Sequence, residues 1–341
     1  MPWNYVATFT GTGEIQSPVA AAVDSPAAYG NLRVLWGGGA GGGPLTSFHY
    51  QLPPFLSAPA QPVPVTPAAV GTLSGTNQPA VLFADGQFFV FWRGAATDTS
   101  IYCSPLDNPS AVDLVPAPNG TQDGPMVAPL AGTDKVFLVY NGPNVYPNFW
   151  FGILDGLGST PTFSSQPSFL ASGAAGYFSP AVSPTPDGEV SFLYTGYDGD
   201  NNLYYMSFGN VAVISTVAFN GTDVTATSKP TLGTWVPATA DGGPEVVLVA
   251  VYPSGGTLYY MEASYVDNGV TWQTQAPVPV DIILKDPTTG KGITFSNPVA
   301  AWATSPVFSD TLFLLIVDLN ASDTMYLVRY TGPGPVSTPG G

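Results

Sequence analysis

Aromatic side chains are the residues of this sequence whose types and spacing best suit ligand binding. One set ends strongly apolar stretches just before a turn: Trp36, Trp92, Tyr140, Tyr194 and Tyr252. A second set lies in the apolar segment after each turn: Tyr102, Trp150, Tyr204, Tyr259 and Tyr326. Rings with a few polar neighbours are typical of small-molecule sites, and sugars stack their C–H faces on such rings. The pattern therefore predicts a glycan or another neutral small ligand.

Two polar residues join this candidate ligand-binding set. Arg93 directly follows Trp92, and His49 lies at the aromatic position of the matching segment near the N-terminus. Each ring has an alternative role, because aromatic residues in strands commonly pack one sheet against the next. We expect Trp36 and Trp92, at the ends of their strands, to reach the ligand side first.

Ionisable groups that could catalyse a reaction are scarce. The sequence has one His, His49, and four Glu: Glu14, Glu189, Glu245 and Glu262. General acid–base catalysis needs paired ionisable groups, and there is no Cys/His pair and no Gly-x-Ser-x-Gly nucleophile motif. The glycine run at 37–43 lacks the Lys-Ser/Thr of a phosphate-binding loop. We expect no catalytic residue set and no cofactor.

Two acidic motifs have familiar patterns. Asp198, Asp200 and Asn202 alternate as at the start of a calcium loop, but no Glu follows at the required distance. Turn chemistry explains the same residues, so no metal site is predicted. The segment 267–272 resembles the Asp-box turn of sialidase-type propellers. A sialidase also needs three converging arginines, and the three in this chain, Arg33, Arg93 and Arg329, do not occupy corresponding positions.

The elements that position these residues form an internal repeat. A proline followed by small apolar residues recurs at Pro18, Pro79, Pro125, Pro180, Pro230 and Pro298. After each proline come a strongly apolar strand, a segment with a central aromatic residue and a more polar stretch. Four strands per repeat indicate the blades of a β-propeller. The predicted fold class is therefore all-β: a six-bladed β-propeller with four-stranded antiparallel blades.

The last repeat is incomplete at the C-terminal end. Residues 331–341 are too rich in Gly and Pro for a strand, and residues 6–12 resemble a fourth strand. We therefore expect the N-terminal strand to close the last blade, with one propeller over 1–332 and a flexible tail at 333–341. Five or seven blades stay open, because the segments 52–77 and 265–296 are long enough to hide extra strands.

Composition narrows the partners and the compartment. Only 9% of residues are charged, against about 25% in ordinary soluble proteins. With 7 basic residues and a net charge of −16, the chain is unsuited to nucleic acid or an anionic membrane surface. No apolar run is long enough for membrane insertion, and the single Cys103 makes no internal disulfide.

The N-terminus has no classical signal peptide. We therefore expect a cytoplasmic protein, or one secreted without such a signal, unless a leader has been removed. Oligomeric state is left open.

The repeats resemble the β-propeller lectins of bacteria and fungi, the fucose-binding type and its relatives. The stretch 179–205 is similar to one of their blades, with its proline, apolar strand and Asn-Leu-aromatic third strand. This resemblance implies sugar binding in pockets built from an Arg, a Glu and an aromatic residue. No repeat carries that full set: Arg33 is the only Arg within a second strand, and Glu262 the only Glu just after a third-strand aromatic. Sugar specificity is therefore left open.

The sequence predicts a non-catalytic carbohydrate-binding protein with aromatic-lined pockets at or between the blades. One alternative is an enzyme with a single site at the mouth of the central channel, since propellers host both functions. The other is a protein-interaction or surface-assembly module, for which a large exposed apolar patch would be the sign.

Overall fold

The structure is a computed structural model. The residues it describes are 3–15, 17–25, 30–37, 42–53, 62–118, 120–130, 132–142, 148–164, 168–169, 176, 178–208, 213–219, 221–237, 246–266, 269–272, 277–280, 284–285, 290–320 and 324–333. Most of the predicted tail, residues 334–341, lies outside this set.

The fold is an all-β propeller of six antiparallel blades. Blade one contains β2 (Ala20–Val23), β3 (Asn31–Trp36), β4 (Gly43–Gln51) and the first part of β6 (Ala68–Ala84). Blade two contains the second part of β6, β7 (Gln87–Arg93), β8 (Ile101–Pro105) and β9 (Asp113–Leu114). Blade three contains β10 (Met126–Pro129), β11 (Val136–Asn141), β12 (Phe149–Asp155), β13 (Thr162–Phe163) and β14 (Ser168–Phe169).

The remaining blades follow the same order. Blade four contains β15 (Ala181–Pro184), β16 (Val190–Thr195), β17 (Leu203–Phe208) and β18 (Val213–Thr216), and is followed by a hairpin of β19 (Ala218–Phe219) and β20 (Thr222–Asp223). Blade five contains β21 (Thr231–Trp235), β22 (Val246–Ser254), β23 (Thr257–Val266), β24 (Gly269–Trp272) and β25 (Val278–Pro279). Blade six contains β26 (Pro298–Thr304), β27 (Leu312–Asp318), β28 (Thr324–Tyr330) and β1 (Trp3–Thr10).

The N-terminal strand closes the ring as predicted. Strand β1 pairs antiparallel with β28, from Trp3 opposite Tyr330 to Thr10 opposite Thr324. The first strands of consecutive blades contact one another around the channel, and β26 of blade six contacts β2 of blade one. Pairing of β26 with β2 and the shared strand β6 join blades six, one and two into one continuous 12-stranded sheet. Strand β1 thereby pairs with an edge of β28 that would otherwise be open, and open sheet edges invite aggregation.

The two long segments add outer strands to existing blades. Within 52–77, β5 (Pro62–Pro64) pairs parallel with β1, and residues 68–75 pair with β4 as the fourth strand of blade one. Within 265–296, β24 and β25 both pair with β23. The described parts of both segments thus belong to blades already counted, and the count is six.

The core lies between the blades, on both faces of the middle strands. Every residue of β11 and β16 is buried, which explains their near-continuous apolar sequences. Small residues line the crowded axis, such as Ala20, Ala21 and Ala22 of β2. Cys103 is buried and unpaired, and burial raises the pKa of its thiol to about 12, which keeps it protonated. Within the described residues, no helix has the length and apolar character needed to cross a membrane.

Candidate functional site

The two predicted aromatic sets face each other across the second and third strands of the blades. Tyr252 lies opposite Tyr259, and the two rings stack with centroids 5.9 Å apart and planes at 23°. The same stacking joins Trp92 to Tyr102 at 5.7 Å and Tyr194 to Tyr204 at 5.4 Å. Tyr140 lies opposite Trp150 in blade three. Each of these four blades therefore carries an inner and an outer ring.

Burial separates the two sets. The inner rings are at most 3% exposed: Trp36, Trp92, Tyr140, Tyr194 and Tyr252. The outer rings are half-buried: Tyr102, Trp150, Tyr204, Tyr259 and Tyr326. Trp36 and Trp92, expected first on the ligand side, pack within the core between blades. This burial favours the packing role for Trp36, Trp92, Tyr140 and Tyr194, whose contact with a ligand stays a prediction.

Two of the outer tyrosines are held by a repeated loop. The Tyr102 hydroxyl donates to Asp98 Oδ2 at 2.8 Å, and the Tyr204 hydroxyl donates to Asp200 Oδ2 at 2.5 Å. These hydrogen bonds are the main reason that the pKa of both tyrosines is raised. Asp200, one residue of the calcium-like motif, also accepts from the backbone N–H of Asn202 at 2.9 Å. The carboxylate thus serves the turn itself.

Arg93 and His49 are not among the described residues that line the pocket between blades four and five. Arg93 Nε donates to the carbonyl of Thr121 at 3.0 Å, and Nη2 donates to the carbonyl of Ala96 at 3.3 Å. The guanidinium therefore links blade two to the segment that leads into blade three. His49 is exposed on β4, opposite Arg33.

A pocket of about 260 Å³ brings together Tyr252 and Tyr259 between blades four and five. Its polar lining consists of Thr222, Asp223, Thr225 and Ser254 together with the two tyrosines. The pocket combines an aromatic floor with carboxylate and hydroxyl oxygens, and its described lining contains no Lys or Arg.

A tight hairpin positions the aromatic wall. Gly255 and Gly256 join β22 to β23 with φ of 57° and 82°, which favours glycine over residues with a Cβ. Because of this turn, Tyr252 and Tyr259 fall in register. Burial raises the pKa of Tyr252 well above its usual range, so its hydroxyl stays protonated.

The hairpin β19–β20 and the residues after it form the polar wall. Ala218 pairs with Asp223 and Phe219 with Thr222. The following segment is fixed to blade four, because Leu203 N–H donates to the Val224 carbonyl at 2.7 Å. It is fixed to blade five by the Thr227 N–H, which donates to the Pro253 carbonyl at 2.8 Å. The wall that carries Asp223 is therefore held from both blades.

The corresponding place between blades two and three is arranged differently. Tyr140 matches Tyr252 and Trp150 matches Tyr259 in the repeat. There the Tyr140 hydroxyl donates to the carbonyl of Pro118 at 3.4 Å. The chain entering blade three thus covers the inner ring, so the two inter-blade positions are not equivalent.

Sequence reasoning missed the polar half of the pocket. These polar residues come from a turn-rich stretch and the end of a hairpin: Thr222, Asp223, Thr225 and Ser254. Nothing in their sequence pattern indicates a binding site, and only their proximity to Tyr259 in the fold identifies them as pocket residues. Glu262 accepts from the Tyr330 hydroxyl at 2.8 Å between blades five and six, and Arg33 pairs with Asp107 at 3.3 Å. Neither residue lines the pocket. Asp267 of the Asp-box-like segment lies outside the described residues.

No protein-family model matches the chain, and no curated protein matches it. Solved structures do match. A fungal lectin from Aleuria aurantia, a six-bladed β-propeller with a fucose recognition mode, aligns with a TM-score of 0.57 at 15% identity, over 96% of this chain and 99% of that chain. A triple arginine-to-alanine mutant of AofleA from Arthrobotrys oligospora aligns with a TM-score of 0.55 at 8% identity, over 96% of this chain and 86% of that one.

A protein of unknown function from Dyadobacter fermentans is equally similar. It aligns with a TM-score of 0.55 at 10% identity, over 97% of this chain and 100% of that chain. At such identities the similarity establishes the fold, which is the one expected from the resemblance of the repeats to propeller lectins.

Proposed function

We propose that this propeller is a non-catalytic carbohydrate-binding protein, and that the pocket between blades four and five holds one neutral sugar residue. The observation that carries the proposal is the stacked pair of Tyr252 and Tyr259 beside the oxygens of Asp223, Thr222, Thr225 and Ser254. A sugar needs an apolar face and several hydrogen-bonding groups at once, and this pocket supplies both.

Each wall has its own role in binding. The half-buried ring of Tyr259 offers a stacking surface for the C–H face of the sugar. The Asp223 carboxylate accepts hydrogen bonds from hydroxyls, and bonds to a charged acceptor are stronger than neutral ones. Small-molecule pockets span roughly 300–1,000 Å³, so about 260 Å³ suits a single sugar residue better than an oligosaccharide.

Charge supports a neutral ligand. Asp223 is the only charged residue in the described part of the lining, and the whole chain carries a net charge of −16. An acidic sugar would meet a carboxylate with no compensating cation, and like charges at close range are repulsive. A solved structure of similar fold also favours a sugar: a point mutant of the Aleuria aurantia lectin is in complex with α-methyl-L-fucoside. A fucoside is therefore the first probe to test.

The alternative of an enzyme at the channel mouth finds less support. A cavity of about 40 Å³ inside the channel is lined by five of the six first strands. Lys229 is the one titratable side chain among its described lining residues. A pair of groups for acid–base exchange is therefore missing from that cavity.

Binding of monosaccharides and of a glycan array, followed by titration calorimetry of the best ligand, tests the proposal. Tyr259→Ala and Asp223→Asn should each weaken binding at least tenfold. The matched controls Tyr326→Ala, at the same position of blade six, and Asp134→Asn, on an exposed turn, should leave it unchanged. Ligand recovered intact after prolonged incubation supports a non-catalytic role, whereas cleavage contradicts it. Equal binding by Tyr259→Ala and wild type would reject this pocket as the site.

A further inference from the structure

The residues that precede the blade-starting prolines meet at one end of the central channel. Gln78 Nε2 donates to the carbonyl of Val19 at 2.6 Å, which links the starts of blades one and two. Gly124 sits so close to Gln78 that a Cβ there would lie 1.6 Å from the Gln78 carbonyl oxygen. Ser179 N–H donates to Asp123 Oδ2 at 2.9 Å. Lys229 holds the equivalent position in blade five.

Among the described residues that line the channel cavity, Lys229 is the only charged one. The cavity measures about 40 Å³, and most of its walls are small or apolar side chains such as Ala20, Ala80 and Ala301. A lysine at this place is unusual for a chain with 7 basic residues and 23 acidic ones. Its charge therefore calls for a specific compensating group.

The protein itself supplies little compensation. Lys229 Nζ and Gln78 Oε1 are buried and have no hydrogen-bond partner among the described residues. Asp123 attracts the ammonium, but the two do not form one of the ion pairs within 4.0 Å, and Asp123 Oδ2 already accepts from Ser179. Loss of hydration lowers the pKa of Lys229 to about 8, so most of the amine is still protonated at pH 7. An unpaired buried charge is strongly destabilising.

We propose that the channel binds a small monovalent anion of the chloride class on Lys229 Nζ. One buried water needs about 10–15 Å³ of such space, so the cavity has room for one ion and a water bridging to Gln78 Oε1. The apolar walls exclude larger hydrated anions. This site is separate from the sugar pocket and does not depend on it.

Thermal unfolding at fixed ionic strength tests the site with chloride as the probe. Sodium isethionate, whose anion is too large for the cavity, is replaced stepwise by sodium chloride at pH 7. Wild-type protein should gain a few degrees in Tm with a saturable dependence on chloride. Lys229→Met should lose that dependence, whereas Lys135→Met, which removes a half-exposed lysine paired with Asp155, should keep it. A chloride effect of equal size in Lys229→Met, or none in wild type, would overturn the proposal.

Bromide soaked into crystals of the wild-type protein provides a second readout that does not need the variant to fold. An anomalous peak within about 3.5 Å of Lys229 Nζ is expected. A channel without such a peak at saturating bromide contradicts the site even if the melting temperature responds to salt.

Discussion

Tyr252 and Tyr259 stack across β22 and β23 with ring centroids 5.9 Å apart and planes at 23°. Tyr252 is 2% exposed and belongs to the core between blades four and five, whereas Tyr259 is half-buried at its edge. The inner ring therefore fixes the orientation of the outer ring before any ligand arrives. Such preorganisation lowers the entropic cost of binding.

Replacement of the inner ring should weaken sugar binding without touching the outer ring. We expect Tyr252→Leu to lower affinity about five- to tenfold, because Tyr259 loses its support, and to reduce stability by about 2–4 kcal/mol. Tyr140→Leu, the equivalent change in blade three, should cost similar stability and leave affinity intact. Calorimetric titration of both variants measures the difference. Equal losses of affinity in Tyr252→Leu and Tyr140→Leu would show that the affinity falls because the whole protein is destabilised.

The N-terminal strand should be essential for the whole ring. Trp3 is 6% exposed and packs against Tyr260, Trp302 and Tyr330, with ring centroids 5.1–5.7 Å away. Trp3→Ala should cost about 3–5 kcal/mol, which corresponds to a drop in Tm of roughly 4–7 °C for a chain of this length. Removal of residues 1–12 should destabilise the protein further.

Differential scanning calorimetry compares these variants with a protein lacking residues 334–341, the predicted tail. The tail deletion should melt like wild type. If the N-terminal deletion also melts unchanged, β1 does not hold blade six.

The repeat made the fold predictable from sequence. The prolines at the blade starts and the apolar second strands are properties of each blade alone, so they can be recognised in the sequence. The last repeat lacks a fourth strand, and this indicated that residues near the N-terminus supply it. The pocket was only half predictable. Tyr252 and Tyr259 follow from the repeat, but Asp223 comes from a hairpin outside the four-strand pattern, and its position depends on how two blades meet. The burial of Trp36 and Trp92 likewise depends on how neighbouring blades pack against them, which the sequence of one repeat does not show.

The Asp318 carboxylate should stabilise the folded protein at neutral pH, and this stabilisation should be lost in acid. Burial raises the pKa of this carboxyl, but hydrogen bonds from the backbone N–H groups of Ser296, Asn320 and Asn297 bring the pKa below its usual value. A lowered folded pKa means that the stabilisation is present above about pH 4, the unfolded value, and is lost as pH falls through the folded value.

Asp318→Asn should therefore reduce stability by about 1–2 kcal/mol at pH 6–7. The difference from wild type should shrink as pH falls from about 4 to 2. Urea unfolding across this range is the measurement, with Asp134→Asn as the exposed control. A difference that stays constant with pH would mean that the carboxylate charge is not what stabilises the loop.

Lys229 should give the protein an unusual gain in stability at alkaline pH. Its folded pKa of about 8 lies below the ordinary value of 10.5, so between these values the unfolded state binds more protons than the folded state. The contribution of Lys229 to stability therefore rises with pH, by about 2 kcal/mol between pH 7 and pH 9.5 in a chloride-free buffer. Above about pH 10 the sign reverses, because burial raises the pKa of Tyr140, Tyr194 and Tyr252 and their unfolded forms ionise first.

Chemical unfolding of wild type and Lys229→Met between pH 7 and 9.5 separates the lysine from the tyrosines, because the tyrosine contribution is common to both proteins. Lys229→Met should remove the rise and be more stable than wild type at pH 7, since an apolar side chain of similar length suits the channel. Chloride should flatten the rise in wild type, because a bound anion favours the protonated amine and moves its pKa back towards 10.5. If stability still rises with pH in Lys229→Met, another group causes the rise. If chloride does not change the rise in wild type, the buried amine does not bind the anion.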